Sequence, residues 1–86
     1  MEVEDYDRIV GEAKALFVAR TTKYGNSWKM ARLSSLCDYV LMKYNRMTKL
    51  TDDVKTNKEK LRSDLQDALN YSIFALKKLE EETKND

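Results

Sequence analysis

Asp64 and Asp67, in the run DLQD, stand three residues apart. On a helix that spacing projects both carboxylates from neighbouring points of one flank. Two carboxylates so placed suit an oxygen-seeking cation such as Mg²⁺, whose octahedron is completed by waters and phosphates. Tyr71 follows Asp64 by one heptad and lies nearly above it. Lys43 and Arg46 form a basic pair at the same spacing in the preceding segment. Packed against the aspartates, they either pair with them directly or converge with them on a bound phosphate. Helix-helix salt bridges of little individual value are the plainer outcome, and the residues alone leave both open. Arg20 lies on an otherwise apolar stripe with Ala13, Leu16 and Phe17. An unpaired charge there is costly, so it calls for an anionic partner, either Asp67 or a ligand phosphate. Asp38 points away from its helix's apolar stripe and is expected in solvent.

The stretch 24–33, YGNSWKMARL, holds one of the two glycines and the sole tryptophan. Gly25 can take positive φ and stop a helix, while Asn26 or Ser27 can cap the next. As a site, Tyr24 and Trp28 would offer stacking surfaces for a base, and Asn26 both a donor and an acceptor to a base edge. As structure, Trp28 would seal the end of a bundle. The two roles are compatible.

The elements that position these residues are helices. The chain has 86 residues, no proline and two glycines, a composition that leaves helices unbroken and fits one all-α domain. A chain this short is marginal as a monomer. The first helix is expected from about Val3 to Thr22, with Val3, Tyr6, Ile9, Val10, Ala13, Leu16 and Phe17 on one face. The second is expected over about Trp28–Lys49, with a re-entry at Ser34 or Ser35 as the alternative. Its stripe is Leu33, Leu36, Cys37, Val40, Tyr44 and Met47. The polar segment Thr51–Lys60 reads as a loop, unless Thr51 or Asp52 starts the third helix early. That helix is expected over about Asn57–Glu81, with Leu61, Leu65, Ala68, Leu69, Ser72, Leu76 and Leu79 on one face. Residues 1–81 then form the domain and 82–86 a frayed charged tail. Ile73 and Phe74 point off the leucine face and are expected at a second surface, a dimer interface.

Composition also excludes. Sixteen basic and fifteen acidic residues give a net charge of +1, which carries no footprint for nucleic acid. The lone Cys37 forms no internal disulfide, and without histidine there is neither a usual zinc spacing nor a serine-histidine triad. An acidic N-terminus unlike a signal peptide and no apolar run of ~20 residues suggest a cytoplasmic chain without a membrane partner.

KYGNSW at 23–28, Lys43 and Arg46, and DLQDALNYSIFALKKLEE at 64–81 together resemble the nucleotide modification associated domain 1 family of bacteria and phages. More distantly they resemble the all-α MazG-type nucleoside triphosphate pyrophosphatases. The resemblance implies a MazG-like helical bundle completed by dimerisation and a nucleotide as ligand, in the host cytoplasm if the chain is phage-encoded. It places Mg²⁺ on Asp64 and Asp67, and the nucleotide's phosphates would then meet Arg20, Lys43 and Arg46. The base would meet Tyr24, Asn26, Trp28, Asn70 and Tyr71. The second acidic pair of the pyrophosphatases has no match, since Glu12 stands alone, so hydrolysis rests on half a metal cage. The rival reading is a non-catalytic, phage-type protein that binds a host protein through Ile73, Phe74 and the Tyr39/Lys43 edge.

Overall fold

The computed structural model describes residues 1–84. It contains three α-helices, α1 (Val3–Tyr24), α2 (Leu33–Leu50) and α3 (Val54–Glu82), and no strand among the described residues. Helices α2 and α3 form an antiparallel hairpin, and α1 packs against α3. Glu82, expected in the tail at 82–86, is still helical. Thr83 closes α3 through its N–H and hydroxyl on the Leu79 carbonyl. Asn85 and Asp86 lie outside the described residues.

Helix α1 runs two residues beyond its expected end and stops where Gly25 takes φ 78°, ψ −168°, its N–H donating to the Thr21 carbonyl at 2.9 Å. The segment expected as helix from Trp28 is divided, and the re-entry falls at Leu33, one residue before Ser34. Ser27–Met30 is one 3₁₀ turn, Ala31 and Arg32 are extended, and α2 begins at Leu33. No side chain caps either start, so the expected Asn26 or Ser27 cap does not form. Tertiary contacts hold the turn instead, through Trp28 stacked on Phe74 and Lys78 Nζ donating to the Lys29 carbonyl at 2.9 Å.

The expected loop at 51–60 is almost entirely helix. Only Thr51–Asp53 interrupts, as a 3₁₀ turn, and α3 starts at Val54. The polar residues that suggested a loop serve as caps. Asp53 accepts from the Thr56 N–H at 3.2 Å, and Asn57 Nδ2 donates to the Leu50 carbonyl at 3.0 Å. These bonds to Thr56 hold the Asp53 carboxyl below its ordinary pKa.

The expected core stripes are only partly covered. Among the described residues, Ala13 and Leu36 are the only buried hydrophobic side chains, whereas Asp64, Asp67 and Asn70 are all buried. The seam of the hairpin that faces α1 is therefore polar. The leucine stripe of α3 is half covered: Leu61 and Leu69 are half-buried, whereas Leu65 and Leu76 are 58% and 61% exposed. On α1, Val3, Tyr6 and Ile9 are likewise exposed.

The two glycines should respond oppositely to alanine. Gly25→Ala forces a side chain into a backbone region that is essentially glycine-only and should cost about 1–3 kcal/mol. Gly11 lies mid-helix with open space around an added Cβ, so Gly11→Ala should gain about 0.5–1 kcal/mol. Thermal unfolding followed by circular dichroism checks both, since ~1 kcal/mol moves the midpoint by about 4–8 °C in a domain of this size.

Candidate functional site

Burying Asp64 and Asp67 on α3 requires cations from both neighbouring helices, because an unpaired buried carboxylate is costly. Helix α2 turns Lys43 and Arg46 toward them, and α1 supplies Arg20. The five side chains form an alternating ladder. Arg46 Nε stands 3.0 Å from Asp64 Oδ2, in charge contact but without hydrogen-bond alignment. Lys43 Nζ lies 3.4 Å from Asp64 Oδ1 and 3.1 Å from Asp67 Oδ2. Asp67 Oδ1 accepts from Arg20 Nη1.

Exposure grades the rungs. The Asp64 and Asp67 side chains are 2% and 11% exposed and Lys43 25%, but Arg46 and Arg20 reach 56% and 48%. The outer arginines are thus half in solvent, and Lys43 is the enclosed centre. Burial pulls the Lys43 ammonium toward a lower pKa; Asp67, and then Asp64, more than offset that, so it rises above the ordinary lysine value.

Beside the Arg20 end of the ladder lies a cavity of about 440 Å³, lined by Phe17, Tyr24, Trp28, Tyr39, Asn70, Tyr71 and Phe74 together with Arg20 and Asp67. The rings brace one another. Tyr39 stacks on Tyr71 at 5.0 Å, Tyr71 meets Phe74 edge-on at 5.9 Å, and Phe74 stacks on Trp28 at 5.0 Å. Phe17 tilts against Phe74 at 5.5 Å. Aromatic pairs at such separations contribute about 0.5–1.5 kcal/mol beyond their burial. The enclosed Trp28 Nε1–H has no acceptor among the described residues.

Of the residues expected at a site, Arg20, Tyr24, Trp28, Asp67, Asn70 and Tyr71 line this cavity together. Lys43, Arg46 and Asp64 stand behind Asp67 in the ladder rather than on the wall. Asn26 is exposed and off the wall, its carbonyl taking the Lys29 N–H at 3.1 Å. Asn70 is buried and its Nδ2 donates to the Ala13 carbonyl at 3.0 Å, so its amide nitrogen fastens α3 to α1. Phe74, expected at an interface, turns inward to the middle of the aromatic group, and Ile73 is exposed. Phe74 follows Asp67 by one heptad and therefore shares its flank. The same spacing that set Tyr71 above Asp64 would have placed it. Phe17 and Tyr39 were not expected as walls, because their partners lie on other helices. Asp38 is exposed, as its wheel position indicated.

The residues present do not fit a protein-built Mg²⁺ cage. No group of three metal-binding side chains gathers among the described residues, and the two carboxylates already face three cations. What the arrangement can do unaided is hold an anion, for the ladder carries one more positive charge than negative.

The chain matches the family described as nucleotide modification associated domain 1 over residues 20–79, the span that carries the whole ladder and every cavity ring except Phe17. None of the curated proteins or solved structures compared with it is a match.

Lys43→Met should destabilise the fold by about 1–3 kcal/mol at neutral pH, because it leaves two enclosed carboxylates without their shared donor. The raised pKa means that the Lys43 contribution is fully present below its unfolded value of 10.5 and is lost as pH rises through the higher folded value. Urea midpoints of wild type and variant should therefore differ at neutral pH and converge above 10.5. A constant difference across that range would assign the loss to packing.

Proposed function

The chain belongs to the nucleotide modification associated domain 1 family, and from that premise we propose that it binds a nucleotide in the aromatic cavity beside Arg20. The observation that carries the reading is the juxtaposition of that ring-lined cavity with the half-exposed end of a charge ladder of net positive sign. A planar base finds apolar walls and ring faces at Tyr24, Trp28 and Tyr71. An acceptor on that base would satisfy the Trp28 indole N–H. The phosphate meets Arg20 first, because it is the cation on the cavity wall, and exchange of Asp67 for phosphate preserves the charge pairing of the guanidinium. Lys43 and Arg46 lie behind and supply a positive field rather than first contact.

Asp64 and Asp67 become metal ligands only if a nucleotide-borne Mg²⁺ displaces Lys43. Pyrophosphate-releasing hydrolysis, the MazG-type activity, is the catalytic form of this proposal and needs that exchange. Binding does not need it.

The test is a panel of ribo- and deoxynucleoside mono- and triphosphates, each with Mg²⁺ or with chelator. The fluorescence of the sole tryptophan, Trp28, reports binding, and anion-exchange chromatography reports products. The expected result is saturable quenching in both conditions, weakened at least about tenfold (1.4 kcal/mol) by Arg20→Ala without loss of helicity. Binding lost on chelation would return Asp64 and Asp67 to the role of metal ligands. Monophosphate with pyrophosphate would establish hydrolysis. No quenching by any nucleotide would overturn the proposal.

A further inference from the structure

The aromatic cavity is poor in charge. Of the side chains that line it, only Arg20 and Asp67 are charged. Asp67 accepts from a single nitrogen of Arg20, Nη1, and a guanidinium has five N–H donors, so donors remain for a second anion. Neutral donors stand beside it. The hydroxyls of Thr21 and Ser27 also line the cavity, and neither makes a hydrogen bond among the described residues.

One more cation is close at hand. Lys23 follows Arg20 by three residues on α1, a spacing that makes the two side chains neighbours on the helix surface. Its Nζ lies 5.2 Å from the centroid of the Tyr24 ring, which is part of the cavity wall. No acidic side chain pairs with Lys23 among the described residues. The lysines beyond Trp28 are too far away to join this pair. Lys78 stands eleven residues past Asp67 on α3, about 16 Å along the helix axis, and gives its Nζ to the Lys29 carbonyl.

Charge then decides how many phosphoryl groups the site can take. The ladder holds Arg20, Lys43 and Arg46 against Asp64 and Asp67, a surplus of one positive charge, and Lys23 raises the surplus to two. A phosphate monoester carries about −1.5 to −2 at neutral pH, which that surplus matches. A triphosphate brings two further ionised phosphoryl groups. No cation on the wall remains to meet them, and Asp67 on that wall carries their own sign. In a part-enclosed site such repulsion is stronger than in water.

From these observations we infer that the site selects a nucleoside monophosphate over the free triphosphate. The one phosphate group is held by Arg20 and Lys23 with the Thr21 and Ser27 hydroxyls. A triphosphate enters on comparable terms only with Mg²⁺, whose two charges cancel those of the added groups. Monophosphate selection rests on the cavity being a nucleotide site.

Isothermal titration calorimetry of the full chain, in chelator, compares each nucleoside with its own mono- and triphosphate. The monophosphate should bind at least about tenfold more tightly than either of the other two. Mg²⁺ should narrow the gap to the triphosphate and leave the monophosphate unchanged. Lys23→Gln, at an exposed position, should weaken the monophosphate several-fold without affecting the nucleoside. A triphosphate that binds as tightly as the monophosphate in chelator would overturn the inference while the nucleotide reading stands. So would a nucleoside that binds as tightly as its monophosphate, because the phosphate would then go unread. An unchanged monophosphate affinity in Lys23→Gln would overturn the match of charges. Absence of binding by every compound would remove the nucleotide reading itself, and monophosphate selection with it.

Discussion

The ammonium of Lys43, held between Asp64 and Asp67, is the interaction on which the rest of the arrangement turns. Two enclosed carboxylates on one helix would each cost several kcal/mol unpaired. They can be tolerated on α3 only where cations approach from both sides. Helix α2 must therefore present its Lys43/Arg46 edge, and α1 must cross where Arg20 reaches Asp67. The Asn70–Ala13 bond then fixes how close α1 comes, and Ala13 is almost completely buried at that contact. A polar seam thus determines the mutual orientation of all three helices. The pairs themselves add modest stability, because the outer arginines remain in solvent and are screened.

Turning the polar flank of α3 inward turns part of its leucine stripe outward. The same rotation that pairs Asp64 and Asp67 sends Leu65 and Leu76 into solvent and leaves a single chain with little apolar core. The rotation also builds the cavity, since Tyr71 and Phe74 share the aspartate flank and are carried inward with it. They meet Phe17 from α1, Tyr39 from α2 and Trp28 from the intervening turn. Charge pairing and ring stacking therefore occupy adjoining lengths of one seam, and the half-exposed Arg20 lies at their junction.

The sequence by itself determined that the chain is helical and that Gly25 would stop α1, and it marked Arg20, Lys43 and Arg46 as candidate partners of Asp64 and Asp67, with a bound phosphate as the open alternative. Composition, the glycine at 25 and the three-residue charge spacings are local properties, and they survive whatever the helices pack against. Its resemblance to the nucleotide modification associated domain 1 family was equally readable, because short motifs at 23–28 and 64–81 carried it. The turn at 51–53 was not, since Asp53 and Asn57 act through caps that look like loop composition until a helix is present to be capped. Only the tertiary structure decided which of two plausible flanks of α3 faces inward. Periodicity marks a leucine face and an aspartate face with equal clarity, and hydrophobicity alone favours burying the first. The cations on two other helices reverse that choice, and with it the places of Phe74, Asn70 and the outward leucines. Pairing across helices is a property of the assembled chain, which is why no window of the sequence contains it.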